Sequence, residues 1–469
     1  MIPAKERVFG LNIIIVGAGK VGYTLAEQLS REDHNLTVVD TSEDMSRRVS
    51  DALDVISIRG NGVTVSALEE AGAAQADLLI AATDLDEVNM VCCLTAKNLG
   101  TKYTIARIRN PEYLENLGYF KRDMGIGMII NPERATAREI ARLLRFPSAA
   151  NIESFCRGRV ELMGFRVQEG DFLVGKPLHA QADKLKKLSM LLCAAERGDD
   201  LIIPNGFFVP QADDTLYAIG QPAALDQFFH TLGRYTHKAK SVFVVGGGRI
   251  SVYLAKLLEK MHVKLKLVEQ DEERCRTLSE LLPGAMVICG DGTDQEVLDS
   301  ESLTASDAFV ALTDRDEDNL IISLYAAQQG MGKVIAKCNR QNYASIARSC
   351  GLDSVISPKQ ITAAQILHLV RGMENSQGSV MHALYRIAND KAEALEFTVS
   401  KNTHHLGVAL KDLKLKCGIL IAVIVRSDRV IIPDGSSCLQ EGDSVIIVTR
   451  DHAILDLNDI FDAPGPVGG

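Results

Sequence analysis

A β-branched apolar run at residues 13–16 meets Gly17, Gly19 and Gly22, and apolar positions at Val21, Leu25, Ala26 and Leu29 follow directly. A short apolar run bounded by turn residues reads as a buried strand, and the three- and four-residue spacing after it reads as a helix. The alternation continues with LTVV (36–39), VISI (55–58), LLIAA (78–82), YTIAR (103–107) and MII (128–130), each separated by helical stretches. Strands alternating with helices predict parallel βαβ units, and a doubly wound sheet places ligand groups at the carboxyl ends of its strands. By that rule residues 17–21, Asp40, Asn61, Thr83, Asp84 and Arg107 share one rim. Asn131 is expected to cap a helix whose first residue is Pro132 and whose apolar side carries Ile140, Leu143 and Leu144.

From about residue 150 the pattern changes to short apolar runs broken by turns, VELMGFRV, then SMLLCAAERGDDLIIPNG, then DTLYAIG. This predicts a small β-rich α+β module. The second half replays the first at an offset of 229 or 230 residues. Gly17 matches Gly246, Asp40 matches Glu269, GNG at 60–62 matches GDG at 290–292, and IIPNG at 202–206 matches IIPDG at 431–435. Thr83, Asp84, Asn89 and Arg107 match Thr313, Asp314, Asn319 and Lys337. A register this constant marks a tandem duplication. The predicted fold class is α/β: two Rossmann-like doubly wound parallel sheets, each followed by a small β-rich module. The expected boundaries are 10–131 and 240–357 for the Rossmann-like domains, 132–150 and 358–374 for connecting helices, and 151–232 and 375–462 for the modules. A polar, basic linker around 231–240 joins the halves, and a Pro/Gly-rich tail at 463–469 is expected to be disordered.

Composition narrows the function. A net charge of −10 over 469 residues, without a Lys/Arg-rich run, argues against a nucleic-acid partner. The longest apolar runs, such as GILIAVIV (418–425), fall far short of the ~20 residues that span a bilayer, and the N-terminus lacks a leader pattern. A cytoplasmic protein is expected. The ten cysteines are scattered without a CxxC pair, so buried thiols are expected rather than disulfides or a zinc site. His179, His230 and His237 are isolated, and the His404–His405 pair has no partners at metal-ligand spacing. No metal site is expected.

The glycine turns carry the candidate chemistry. Gly17 permits a sharp turn, Gly19 lets backbone N–H groups approach a pyrophosphate, and Gly22 lets helix and strand lie close; Ala18, Lys20 and Val21 complete the stretch. Gly246, Gly247, Gly248, Arg249 and Ile250 form the equivalent turn, with Ser251 in place of the third glycine. Asp40, 23 residues beyond Gly17, stands where an acid accepts hydrogen bonds from an adenosine ribose, and Glu269 repeats it. An acid there disfavours a 2′-phosphate, so NAD(H), ATP or ADP suit the sites better than NADP(H). Asp84 and Asp314 follow strand ends and either meet the ligand or serve in helix capping. Asp86, Glu87, Asp316 and Glu317 read as a solvated first helical turn. Arg107 and Lys337 either reach phosphates or form surface salt bridges, and Lys20 and Arg249 either assist the phosphates or are solvated. Asn61 and Val63 stand where the second copy has Asp291 and Thr293, so the two sites are expected to differ in ligand preference.

No P-loop, nucleophile elbow or CxxC centre is present. A soluble NAD-dependent oxidoreductase, the alternative reading, needs a substrate domain with a positioned acid or base, and the small modules offer little. No enzyme activity is expected. The ordered set VGAGKVG with Asp40, GNG, ATDLDEVNMV and ARIRNPEY, then GGGRI with Glu269, GDGT, LTDRDEDN and IAK, resembles the family of regulators of potassium conductance in its tandem form. The resemblance runs from residue 12 to about 461. It implies domains that bind NAD(H) or ATP/ADP, with nucleotide contacts at Gly17 through Val21, Asp40, Thr83, Asp84 and Arg107, and at Gly246 through Ile250 and Glu269. It also implies a homo-oligomeric ring, a tetramer, peripheral on the inner face of the cell membrane against a potassium-translocating subunit of the Trk type.

Overall fold

Apolar runs short enough to be strands and buried on both faces are what a parallel sheet covered by helices requires. A computed structural model describes residues 10–32, 34–111, 113, 124–145, 151–198, 200–233, 239–352, 354–374, 379, 381–387, 391–450 and 454–462. The tail at 463–469 and residues 234–238 of the linker, His237 included, lie outside the described residues. The chain divides into two compact units, one of residues up to 136 with 357–367, the other of residues 137–356 with 368 onward.

The first unit is built on six parallel strands: β1 (Asn12–Val16), β2 (Asn35–Asp40), β3 (Ile56–Arg59), β4 (Leu78–Ala81), β5 (Tyr103–Arg107) and β6 (Met128–Ile130), in the spatial order β3-β2-β1-β4-β5-β6. The chain therefore reverses direction across the sheet at β1, which pairs with β2 on one side and β4 on the other. That reversal opens a crevice at the carboxyl ends of the strands. Helices α1 (Lys20–Leu29), α2 (Glu43–Ala52), α3 (Val65–Glu70) and α4 (Asp86–Leu99) connect the strands. Helix α5 (Pro132–Arg145) follows β6, and the Asn131 side chain accepts the Arg134 N–H at 2.7 Å, the cap expected from Asn-Pro.

The second unit holds three sheets. Strands β7 (Asn151–Phe155), β8 (Val160–Arg166), β9 (Met190–Arg197), β10 (Asp200–Ile202) and β11 (Thr215–Gly220) form an antiparallel sheet in the order β10-β9-β11-β8-β7. Next comes the second parallel sheet, β12 (Ser241–Val245), β13 (Lys264–Glu269), β14 (Ala285–Cys289), β15 (Ala308–Ala311), β16 (Lys333–Lys337) and β17 (Ser354–Ile356), ordered β14-β13-β12-β15-β16-β17. Its helices are α6 (Arg249–Lys260), α7 (Glu272–Leu281), α8 (Gln295–Ser300), α9 (Asp316–Gln328) and α10 (Gln341–Ser349), and α11 (Pro358–Glu374) leads out of it. The last sheet, β18 (Met381–Ile387), β19 (Ala392–Thr398), β20 (Ile419–Arg426), β21 (Arg429–Ile431) and β22 (Ser444–Thr449), runs β18-β19-β22-β20-β21. Both parallel sheets and both antiparallel sheets thus repeat strand for strand.

The two antiparallel sheets share a core that includes Phe155, Leu162, Ala194 and Ile219 from one and Ala394, Val423, Ile446 and Val448 from the other. Charges buried beside this core need partners. Glu396 accepts the Cys156 N–H at 2.9 Å, and Arg371 donates to Glu393 at 2.6 Å with both side chains essentially closed to solvent. Arg142, at the position equivalent to Arg371, instead lies between Glu139, to which it donates, and Glu153 at 3.5 Å. Cys92, Cys93, Cys193, Cys275 and Cys338 are buried, but Cys289, Cys350 and Cys417 are exposed, so burial does not hold for every thiol. No helix of the described residues is long and apolar enough to cross a membrane.

Burial, with the Glu139 carboxylate adding to it against the pull of Arg142, pushes the Glu153 carboxyl from its ordinary 4.5 up to about 8. The folded state then holds a proton that the unfolded state has released, so stability falls as pH rises between about 4.5 and 8. Glu153→Gln is expected to flatten that decline. Thermal unfolding followed by circular dichroism should show a smaller drop in Tm from pH 5 to pH 8 in the variant than in the parent, as the window implies.

Candidate functional site: two equivalent glycine turns

The backbone at the end of β1 turns through Gly17 at φ 97°, and Gly246 repeats it at 101°, a region that glycine enters without strain. The Gly17 N–H donates to the Val39 carbonyl and the Gly246 N–H to that of Val268, both at 2.8 Å. Asp40 then reaches across: its carboxylate accepts the Ala18 N–H at 2.6 Å and the Ser42 N–H at 2.8 Å. Glu269 accepts the Gly247 N–H at 2.7 Å and the Asp271 N–H at 3.0 Å. In each copy the acid at the end of the second strand braces the glycine turn and keeps lone pairs for a further donor.

A Cβ built on Gly19 or Gly248 meets nothing within 4 Å, so the surface above each turn is open. These glycines are the N-caps of α1 and α6, with no side-chain cap, which leaves first-turn N–H groups available to an anion. Lys20 and Arg249, the first residues of those helices, are exposed at the same place, and Val21 and Ile250 are buried beneath them. The third glycine position differs. A Cβ on Gly22 would sit 1.8 Å from the Gly17 carbonyl oxygen. Ser251 carries that Cβ, is 1% exposed, and donates its hydroxyl to the Gly246 carbonyl. The second turn therefore admits the side chain and gains a hydrogen bond.

At the opposite wall, Thr83 and Asp84 follow β4, and Arg107 ends β5. Arg107 is only 9% exposed. Its guanidinium donates to the Thr83 carbonyl and to Asp84, both at 3.3 Å, with Glu133 at 3.9 Å. Its Nε has no hydrogen-bond partner. Burial is the largest cause lowering the Arg107 pKa, and the neighbouring Arg109 adds to it. Arg107 is thus a buried strap, not a surface salt bridge. Lys337 repeats it with 7% exposure and Asp314 at 3.6 Å. The structure brings residues 17–21, Asp40, Thr83, Asp84 and Arg107 to one rim, and Gly246–Ile250, Glu269, Thr313 and Asp314 to the other; Thr313, Asp314 and the second turn line a cleft of about 340 Å³ with Glu269.

Two pairs of residues hold these rims in ways the sequence reading missed. Asn89, fully buried, accepts from the Thr83 N–H and hydroxyl at 2.8 and 2.7 Å and donates to the Thr83 and Arg107 carbonyls at 3.1 and 2.8 Å. Asn319 does the same for Thr313 and Lys337. Asp86 and Asp316 are not solvated: they are 8% and 6% exposed and accept the N–H groups of residues 109 and 110, and of 339 and 340. An acid in the first helical turn favours the helix dipole, and here its carboxylate also turns inward onto orphan amides. Their exact repetition was the available signal. Arg274, whose Nε donates to the Gly247 carbonyl at 3.0 Å and which lines the second cleft, replaces Met45 and was also missed.

Comparison with known proteins finds relatives for both halves of the chain. The TrkA-N domain matches residues 13–132 and again 242–358, and the TrkA-C domain matches 394–462. The chain is 35% identical over 460 residues to the Trk system potassium uptake protein TrkA homolog 1 of Methanosarcina mazei, covering 96% of this chain and 100% of that protein. Among solved structures, the GsuK channel bound to NAD aligns with a TM-score of 0.62 at 19% identity, covering 96% of this chain and 78% of that one. GsuK bound to ADP aligns at 0.50 and 17% identity, over 79% and 71%. These structures share the fold.

Asn89→Ala would strand the Thr83 N–H and the Thr83 and Arg107 carbonyls. Unpaired buried groups cost about 1–3 kcal/mol each when water cannot reach them, and a loss of about 2–4 kcal/mol is expected for the first sheet. Hydrogen exchange should report it as lost protection at Thr83, with Thr313 unaffected.

Proposed function

This chain belongs to the TrkA family of Trk-system potassium uptake proteins, and from that premise we propose that it is a nucleotide-sensing regulatory subunit. It binds NAD(H), or ATP and ADP, and gates a separate potassium-translocating membrane protein. The observation that carries this reading is the duplicated rim: an open glycine turn facing a braced carboxylate, built twice in one chain. GsuK, of similar fold, was solved with NAD and with ADP. The residues fit such a ligand. Gly19 and Gly248 leave room for a pyrophosphate, first-turn N–H groups are free to meet it, and Asp40 and Glu269 retain acceptor capacity for ribose hydroxyls. The same carboxylates repel a 2′-phosphate, favouring NAD(H) over NADP(H).

The membrane partner is a potassium-translocating subunit of the Trk type, and the regulator forms a homo-oligomeric ring, a tetramer, on its cytoplasmic face. No reaction is assigned to the chain, and the bound nucleotide acts as a signal. A signal of this kind biases its partner only by differential affinity for two conformations. Arg107 is placed to set that difference, because it ties the ends of β4 and β5 and lies next to Asp84 on the rim. A ligand phosphate competing for the guanidinium would loosen its hold on Asp84.

Calorimetry with NADH and with ATP tests the reading. The parent should show binding, Asp40→Ala should lose one class of site, and Glu269→Ala should lose the other, each by roughly tenfold or more. No binding to the parent would leave a scaffold. In reconstituted vesicles with the membrane subunit, Arg107→Ala should blunt nucleotide-dependent potassium flux; an unchanged response would remove Arg107 from the mechanism.

A further inference from the structure

Beside the second cleft lie two cysteines with no counterpart in the first. Cys275 is in the first turn of α7, is 6% exposed, and its Sγ lies 3.2 Å from the Glu269 carbonyl oxygen. Cys289 ends β14 and is directly paired with Glu269 in the parallel ladder. Side chains alternate along a strand, and Leu265 and Leu267 of β13, with Ala285 and Val287 of β14, pack in the same core as Leu278 of α7. Glu269 and Cys289 continue those alternations, so the Cys289 thiol projects on the side that α7 covers. The two thiols thus meet around one residue, Cys275 on the Glu269 carbonyl and Cys289 beside Glu269 across the ladder. Cys289 is exposed and Cys275 is buried. At the equivalent positions the first copy has Ser46 and Arg59.

We propose that Cys275 and Cys289 are a reversible thiol–disulfide site that tunes the second cleft and leaves the first untouched. The inference rests on the nucleotide-binding reading of that cleft. The Cys289 thiolate attacks a hydroperoxide, breaking the O–O bond, so that Cys289 becomes a sulfenic acid and an alcohol or water leaves. The Cys275 sulfur then attacks the sulfenic sulfur, the S–S bond forms, and water departs with the thiol proton. Two electrons pass from the thiol pair to the peroxide. A dithiol reverses the step. The disulfide ties the first turn of α7 to the end of β14. That turn also carries Arg274, which holds the Gly247 carbonyl, and the tie spans Glu269, which holds the Gly247 N–H. Both supports of the second glycine turn therefore feel the bond.

The test uses the full chain treated with hydrogen peroxide and digested without reductant. A linked peptide pair carrying Cys275 and Cys289 is expected, absent in C275S and in C289S and removed by dithiothreitol. Calorimetry with NADH should show the second class of site weakened roughly fivefold or more on oxidation, the first class unchanged, and both classes insensitive to peroxide in C275S. Hydrogen exchange at residues 246–250 provides a readout that needs no nucleotide: oxidation should alter it there and not at 17–21. Absence of the linked pair, with Cys289 over-oxidised or joined to another chain, overturns the proposal, as does a linked pair that changes neither exchange nor affinity. If the reduced protein binds no nucleotide, the sensor reading fails, and the linked pair with its exchange signature still decides the thiol site.

Discussion

The contact on which both Rossmann-like domains depend is a carboxylate gripping a backbone amide: Asp40 on the Ala18 N–H, Glu269 on the Gly247 N–H. A parallel sheet that reverses at its first strand leaves unpaired backbone groups at the strand ends. The glycine turn disposes of one by donating from Gly17 to Val39, or from Gly246 to Val268. The following amide points into the crevice and is taken by the acid of the adjacent strand. With the turn fixed in this way, the next residue, Gly19 or Gly248, presents bare backbone at a helix start, the arrangement that favours an anion. Bracing uses the side chain that the proposed function gives to recognition, and Asp40 and Glu269 belong to the scaffold and to the rim.

Duplication preserved the asparagine networks and let the strap, the glycine turn and the rim diverge. The Asn89 and Asn319 networks match bond for bond, because a buried amide that satisfies four backbone or hydroxyl groups tolerates no replacement. The strap is looser: Arg107 becomes Lys337, a planar fork replaced by a point charge. Gly22 becomes Ser251, Met45 becomes Arg274, and Asn61 becomes Asp291, whose carboxylate accepts the Thr293 N–H and hydroxyl. Two clefts of one topology thus differ in charge and in the side chains that hold their turns.

Strand positions were legible because each is an apolar run closed by turn residues, and the constant offset carried the whole architecture from one half to the other. The acids at the second strand ends were legible by spacing. Asp86 and Asp316 were not, since an acid in a first helical turn looks the same in sequence whether it faces water or folds back onto residues 109–110 and 339–340. Asn89 showed only as a repeated letter, for its partners are backbone groups that no side-chain pattern reveals. Arg274 broke the repeat, and one substitution among several in that helix carries no signal until its guanidinium is seen on the Gly247 carbonyl.

The same divergence shapes the paired antiparallel sheets. Arg142 and Arg371 are equivalent, and so are Glu161 and Glu393, yet only Arg371 closes onto its acid, at 2.6 Å. The first copy has Glu139 and Glu153 where the second has His368 and Tyr385, and these extra acids draw Arg142 away from Glu161. One guanidinium then serves two carboxylates, which in a desolvated setting favours a proton on one of them. The second copy reverses the ratio, with Arg371 at 2.6 Å and Arg386 at 3.5 Å on the one carboxylate of Glu393. A buried carboxylate with less than its share of positive charge favours its protonated form, and burial raises the pKa of both Glu139 and Glu153, so the pH dependence of these paired sheets lies on the Glu139–Arg142–Glu153 side.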